Sequence, residues 1–319
     1  MSAASKVMTA EEAVRTFVHD GDRLALGGFS TNRRAYGLVR EIIRQGKRGL
    51  YVQSGPAGGD VDMLIGAGCV EVLDISYIAN SGFSMVCRRF RDAVEGGRLL
   101  VEDWSLDVQT IIYHGAALGL PYVAVKDMLG SDLERKWGIS EDERRARPKL
   151  SPKKFVVQED PFEPGSLLCL VPTPKIDVAC IHVQVASPSG ICRIEGSAFQ
   201  DEDIAVAARH TLVSCEELVP DEEMLRCPAA NALPGLCVSA VVEMPFGAHP
   251  SQCHGRYDYD PAAFIEYDEA SRTDEAFRAY IDEHVLPDHG QYVARVGRER
   301  LEALAVDPVL GYVPGLERR

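Results

Sequence analysis

Short apolar runs alternate with amphipathic stretches over the first 125 residues of the chain. Leu24-Ala25-Leu26 is too short for a helix and lies between turn residues, Asp20-Gly21 before it and Gly27-Gly28 after it, so it reads as a buried strand. Leu50 to Gln53, Cys69 to Ile75, Leu99 to Val101 and Tyr122 to Val125 repeat that pattern. Helical spacing fills the intervals, at Arg34 to Gln45, Val61 to Gly66, Phe83 to Glu95 (closed by Gly96-Gly97) and Ser105 to Leu118. Thr9-Ala10-Glu11-Glu12 is a capping box that opens a helix ending near His19. Each strand runs into a turn of small or acidic residues: Gly27-Gly28, Ser54-Gly55-Pro56-Ala57-Gly58-Gly59-Asp60, Asn80-Ser81-Gly82 and Glu102-Asp103. Such a βαβ series brings its loops to one edge of a mostly parallel sheet.

Residues 126–165 interrupt the rhythm with a charged helical segment and a stretch rich in proline and lysine, read as a lid or insertion, or as a solvated spacer. The sheet is expected to resume with Leu167 to Val171 and Ile176 to Ala186, followed by Ile191 to Ile194 and Thr211 to Ser214. A helix over Asp201 to Arg209 falls between the last two, and Leu236 to Val242 is expected to be the final core strand. Residues 261–304 carry a charged helical pattern. The expectation is one α/β domain over residues 1–319, an open, mostly parallel sheet with helices on both faces.

Composition narrows the function. The formal net charge of -14 argues against a nucleic-acid partner, which needs concentrated basic surface. The local run Arg88-Arg89-Phe90-Arg91 reads as a solvated helix face or a partner contact. No apolar run reaches the roughly 18–20 residues that span a bilayer, and the N-terminus lacks an apolar signal core, so a cytoplasmic location is expected. Nine cysteines are scattered without a C-x-x-C pair, which suits reduced, buried thiols. Dinucleotide, P-loop and G-x-S-x-G fingerprints are absent. His249, Cys253 and His254 fit no metal-binding spacing, and no metal is expected. Glu102 and Asp103 close a strand as a candidate base or as ordinary loop acids. The Gly27-Gly28 bend is either a ligand approach or a plain strand-to-helix turn.

Asp20-Gly21-x-x-Leu24-Ala25-Leu26-Gly27-Gly28-Phe29 resembles the signature of the family I CoA-transferases. The resemblance extends through Ala57-Gly58-Gly59-Asp60, Ala79-Asn80-Ser81-Gly82, Glu102-Asp103, Trp137-Gly138-Ile139-Ser140, Phe199-Gln200-Asp201 and Gly247-Ala248-His249-Pro250-Ser251-Gln252-Cys253. It covers nearly the whole chain and is similar to the A-subunit side of the glutaconate-type branch. Where the broad signature continues with Gly and Pro, this chain has Arg33-Arg34-Ala35. Arg33 or Arg34 would then meet the distal carboxylate of a dicarboxylate substrate, or simply start a surface helix.

The resemblance implies a coenzyme A thioester as substrate, no tightly bound cofactor, and a separate B subunit of the same enzyme in a heterodimer or α2β2 assembly. A glutamate on the B subunit would form an acyl anhydride and then a glutamyl-CoA thioester. This chain carries no Ser-Glu-Asn-Gly-type nucleophile motif. Gly27, Gly28, Phe29, Ser30, Arg33, Asn80, Ser81, Gly82 and Gln252 would line the substrate site, with glycine-loop amides near developing oxyanions. Relatives of this architecture also imply two alternatives: a decarboxylase of methylglutaconyl-CoA, or a ring-opening hydrolase of a cyclic β-diketone CoA ester with Glu102 as its acid. A non-catalytic subunit that only stabilises its partner is the third class.

Overall fold

Burial alternates along the strands as a sheet covered on both faces requires. In β1 (Arg23–Leu26), Leu24 and Leu26 join one apolar cluster and Ala25 the other. In β2 (Leu50–Ser54), Leu50 and Val52 face the first cluster, while Tyr51 packs on the opposite side with Val72 and Ile139. The computed structural model describes residues 4–316.

The chain continues through β3 (Val70–Ile75), β4 (Leu100–Asp103), β5 (Tyr122–Val125), β6 (Val156–Glu159), β7 (Leu167–Pro172), β8 (Ile176–Ala186), β9 (Cys192–Arg193), β10 (Ala208–Leu218) and β11 (Ala240–Glu243). The main sheet has the order β11-β10-β8-β1-β2-β3-β4, and every pairing along it is parallel. β9 pairs antiparallel with β8. The chain winds outward from β1 to β4, returns to place β8 beside β1, and winds out again to β11. Strand order therefore reverses between β1 and β8, where an open α/β sheet leaves a crevice beyond its carboxyl ends.

The expectation for β5 and β7 needs correction. Tyr122–Val125 and Leu167–Pro172 do not extend the main sheet; with β6, which the sequence pattern did not reveal, they form a separate three-stranded antiparallel sheet in the order β5-β7-β6. All four residues of β6 are exposed, so Val156–Glu159 carries no burial signature to betray a strand. Trp104, Val108, Ile112, Val125, Met128, Phe155, Cys169 and Val171 give this unit its own apolar cluster. The excursion over residues 126–165 contributes Met128 and Phe155 to that cluster and β6 to its sheet.

Helices cover both faces. Thr9 caps the helix Ala10–Phe17 in a capping box with Glu12, as the sequence indicates. The helix Arg88–Glu95 starts later than Phe83, because residues 80–84 form a turn closed by Phe83 and Ser84 amides donating to Asn80 O. Leu236 to Val238 is a short 3-10 turn and its flank, and the last strand begins only at Ala240. Residues 261–304 hold four helices, Pro261–Ala270, Asp274–His284, His289–Val296 and Arg298–Ala303. Phe264, Tyr267, Phe277 and Tyr280 from them complete the larger cluster. Each such buried ring contributes roughly 1.5–3 kcal/mol relative to exposure. Among the described residues no helix is long and apolar enough to cross a membrane.

Candidate active site

The loops after β1, β2 and β3 stack against one another at the carboxyl edge. Ser30 N donates to Pro56 O at 2.8 Å, Ala57 N donates to Tyr77 O at 2.8 Å, and Ala79 N donates to Ala57 O at 3.1 Å. The loop after β11 joins them: Gln252 N donates to Thr31 O at 3.0 Å and Arg33 N to Gln252 O at 2.7 Å. The small-residue bends singled out in the sequence therefore meet beside the β1–β8 crevice.

The β1 loop is held in a strained shape. Gly28 has φ 78°, which suits glycine, but Ser30 at 52° and Arg33 at 47° lie in the left-handed region that side chains disfavour. Phe199 shares that strain at 53°, and its ring stacks on Phe29 with centroids 4.9 Å apart. Strain of this kind persists where surrounding contacts over-determine it, and here it gathers at one rim.

Those contacts are ionic. Asp201, fully buried, accepts from Gly28 N at 2.7 Å and from Arg33 Nη1 at 2.5 Å. Arg33 also donates to His182 O and Ser197 O. Arg34 donates through Nε and Nη2 to Asp60 Oδ2, at 2.9 and 2.6 Å, and from Nη2 to Ser54 Oγ at 2.9 Å. Arg33 and Arg34 are 2% and 0% exposed, so neither starts a surface helix. Their guanidiniums point inward and tie the loop to helices on both faces.

Side chains expected at the site do gather. Ser30 Oγ and Ser81 Oγ share a hydrogen bond of 3.0 Å, and Asn80 Oδ1 accepts from Gly59 N at 2.8 Å. Gln252 donates to Asn32 Oδ1. Phe29, Gly82 and Gln252 are partly exposed and Ser81 is exposed, whereas Ser30 and Asn80 are buried behind them. The amides of the glycine bend are engaged inside the protein: Gly27 N with Cys180 O, Gly28 N with Asp201, Phe29 N with Asn32 O and Ser30 N with Pro56 O. The expected oxyanion role does not fit those four groups, because folding has already used them.

Glu102 lies apart from this rim. It is 3% exposed at the end of β4, in contact with Arg144 and 3.3 Å from Lys154 Nζ, both supplied by the excursion.

The sequence pattern missed a second buried group beneath the rim. His182 on β8 meets Ser214 Oγ at 2.9 Å and Glu216 Oε1 at 2.7 Å on β10. Glu216 also accepts from Tyr257 Oη at 2.6 Å and Phe246 N at 2.7 Å. Burial pushes the Glu216 carboxyl up, but the hydrogen bond and charge of His182 together with these donors hold it below the usual range. Cys253 lies close enough for the three to form a metal-type cluster, yet the Glu216 oxygens are taken by hydrogen bonds and burial pushes the Cys253 thiol well up. His249 is occupied by Tyr292 Oη at 2.7 Å and Asp260 at 3.0 Å. The sequence pattern places His182 on a strand but ends the next one at Ser214, two residues short of Glu216, and gives no sign that the two face each other. For Asp201 the signal was its place opening a helix straight after Phe199-Gln200.

Residues 7–244 match the family described as coenzyme A transferase. The chain is 50% identical over 310 residues to the A subunit of the glutaconate CoA-transferase of Acidaminococcus fermentans, covering 97% of both chains. The crystal structure of that organism's glutaconate coenzyme A-transferase superposes with a TM-score of 0.96, covering 97% of this chain and 98% of the other. The A subunit of the 3-oxoadipate CoA-transferase of Pseudomonas knackmussii is 35% identical over 92% of this chain and 98% of its own. A variant of the decarboxylase AibA/AibB has a TM-score of 0.72 at 29% identity, covering 88% of this chain and 100% of that one.

Proposed function

The chain belongs to the coenzyme A transferase family, and from that premise we propose that it is the A subunit of a two-subunit enzyme moving coenzyme A between a glutaconate-type dicarboxylate and a short acyl-CoA. One observation supports this most: the bends after β1, β2, β3 and β11 meet at the topological switch point, within a chain half identical end to end to an A subunit of that activity. In this reading a glutamate of the partner attacks the donor thioester carbonyl and expels coenzyme A thiolate, leaving an acyl-glutamyl anhydride. The thiolate attacks the glutamyl carbonyl, releasing the donor's carboxylate and leaving the glutamyl thioester for the acceptor carboxylate to take up.

This chain's share is the wall of the acyl pocket. Phe29 and Phe199 form its apolar side, and Ser81 and Gln252 offer hydroxyl and amide groups at the open rim. Ser30, Asn80, Gly27, Gly28 and Gly82 shape the rim from behind, and Arg33 and Arg34 act as positioning residues that hold the loop. Glu102 is paired with Arg144 and Lys154, so its carboxylate is engaged within this chain.

The test is reconstitution with the B subunit from the same source. Labelled acetate is expected to exchange into a glutaconyl-type thioester in the complex, and the chain alone is expected to be inert. Absence of exchange in a folded complex, or turnover by the single chain, overturns the proposal.

A further inference from the structure

A cavity lies away from that rim. Gln53 and Asp74 project from the β2–β3 face opposite the one that Ser54 shares with Arg34, and the segment 144–154 of the excursion arches over them. The cavity between them measures about 360 Å³, at the lower end of ligand pockets. Its charge runs against that of the molecule. Although the chain carries a net charge of -14, the ionisable acids and bases lining the cavity are Arg23, Arg144, Lys149, Lys153, Lys154 and Lys175 against Asp74 and Glu102.

Two of these cations are deeply buried, Lys154 at 1% and Arg144 at 5% exposure. Burying a cation costs several kcal/mol unless partners use its donors. Lys154 Nζ has three donors, yet its carboxylate neighbours stand off at 3.3 Å (Glu102) and 3.6 Å (Asp103) and it makes no hydrogen bond of normal geometry. The ring of Trp104 lies beneath it at 4.9 Å. Gln53 Oε1 is likewise buried without a hydrogen-bond partner. Lys153 and Lys175 are exposed at the mouth, where positive charge raises the local concentration of anions.

We propose that this cavity binds a small anion through a phosphate or carboxylate group held by Lys154 and Arg144. The site is separate from the acyl rim, and its occupant is either a free acid or phosphate, or the nucleotide end of coenzyme A.

The two tryptophans of the chain report on it directly, since Trp104 lines the cavity and Trp137 packs on Phe155 at 5.6 Å. Inorganic phosphate, glutarate and adenosine 3′,5′-bisphosphate are titrated separately into the full chain while tryptophan fluorescence is read. A saturable change with at least one probe is expected, and the tightest probe identifies the source. Lys154→Met is expected to abolish it. The exposed double variant Lys153→Glu/Lys175→Glu, which disturbs no packing, is expected to weaken it about tenfold. No saturable response to any of the three probes, or unchanged affinity in the double variant, overturns the proposal. Neither a partner chain nor acyl transfer enters the measurement, so its failure is distinguishable from failure of the transferase reading.

Discussion

Asp201 serves two groups at once, and removing its carboxylate would leave Arg33 buried with only carbonyl partners. Stranding a buried charge costs about 3–5 kcal/mol, so Asp201→Ala is expected to lower the unfolding free energy, read from urea titration, by that amount and to free the Gly28 amide. Arg33→Met/Asp201→Leu should recover much of the loss, because no charge then stays unpaired. Asp74 makes the opposite case. Burial raises its carboxyl from 3.8 to about 7, against the pull of the Trp104 N–H and the charges of Lys154 and Arg144. The native state then binds more protons than the unfolded chain between those two values, so stability falls as pH rises through the interval. Asp74→Asn has no proton to lose. It is expected to match the parent near pH 4 and to exceed it above pH 7 by a few kcal/mol, at about 1.4 kcal/mol per pH unit, read from urea midpoints at the two extremes.

At the level of elements, the strand-to-helix loops separate glycines that cannot change from glycines that can. A Cβ on Gly28 would stand 2.6 Å from both Arg33 O and Asn32 O, backbone atoms of a loop fixed at either end, on a residue with φ +78°. On Gly55 the conflict is with the Gln200 side-chain amide, a flexible group that can swing aside. Gly28→Ala is expected to cost more than about 1 kcal/mol and to abolish transfer by the reconstituted enzyme. Gly55→Ala should leave the melting temperature within a few degrees of the parent. The excursion behaves as an element too. With its own apolar cluster it delivers Arg144 and Lys154, ten residues apart, to the distant Glu102.

For the whole molecule, the helices of residues 261–304 are clamped to the helix Arg88–Glu95 by its basic run. Arg88 pairs with Asp268, while Arg89 donates to Ser271 O and Asp274 and lies 5.2 Å from the Phe277 ring. Arg89 is thus buried and committed within the chain, whereas Arg91 is exposed and pairs with Glu95 one turn along the same helix. Arg89→Ala is expected to loosen residues 261–304, seen as faster tryptic cleavage there with the main sheet still protected. By itself the sequence determined what local physics controls. Apolar runs of strand length between turn residues, and helical spacing with the Thr9 capping box, gave the βαβ order and the loops that would meet. The motifs around Gly27 and Gln252 carried the family. Tertiary structure alone decided which charges face one another: Arg33 with Asp201, His182 with Glu216, and Glu102 with Arg144 and Lys154. It also decided that β5 and β7 leave the main sheet. A strand's alternation records which side is buried but not which strand lies beside it, and a buried charge is named by a partner that no local pattern contains.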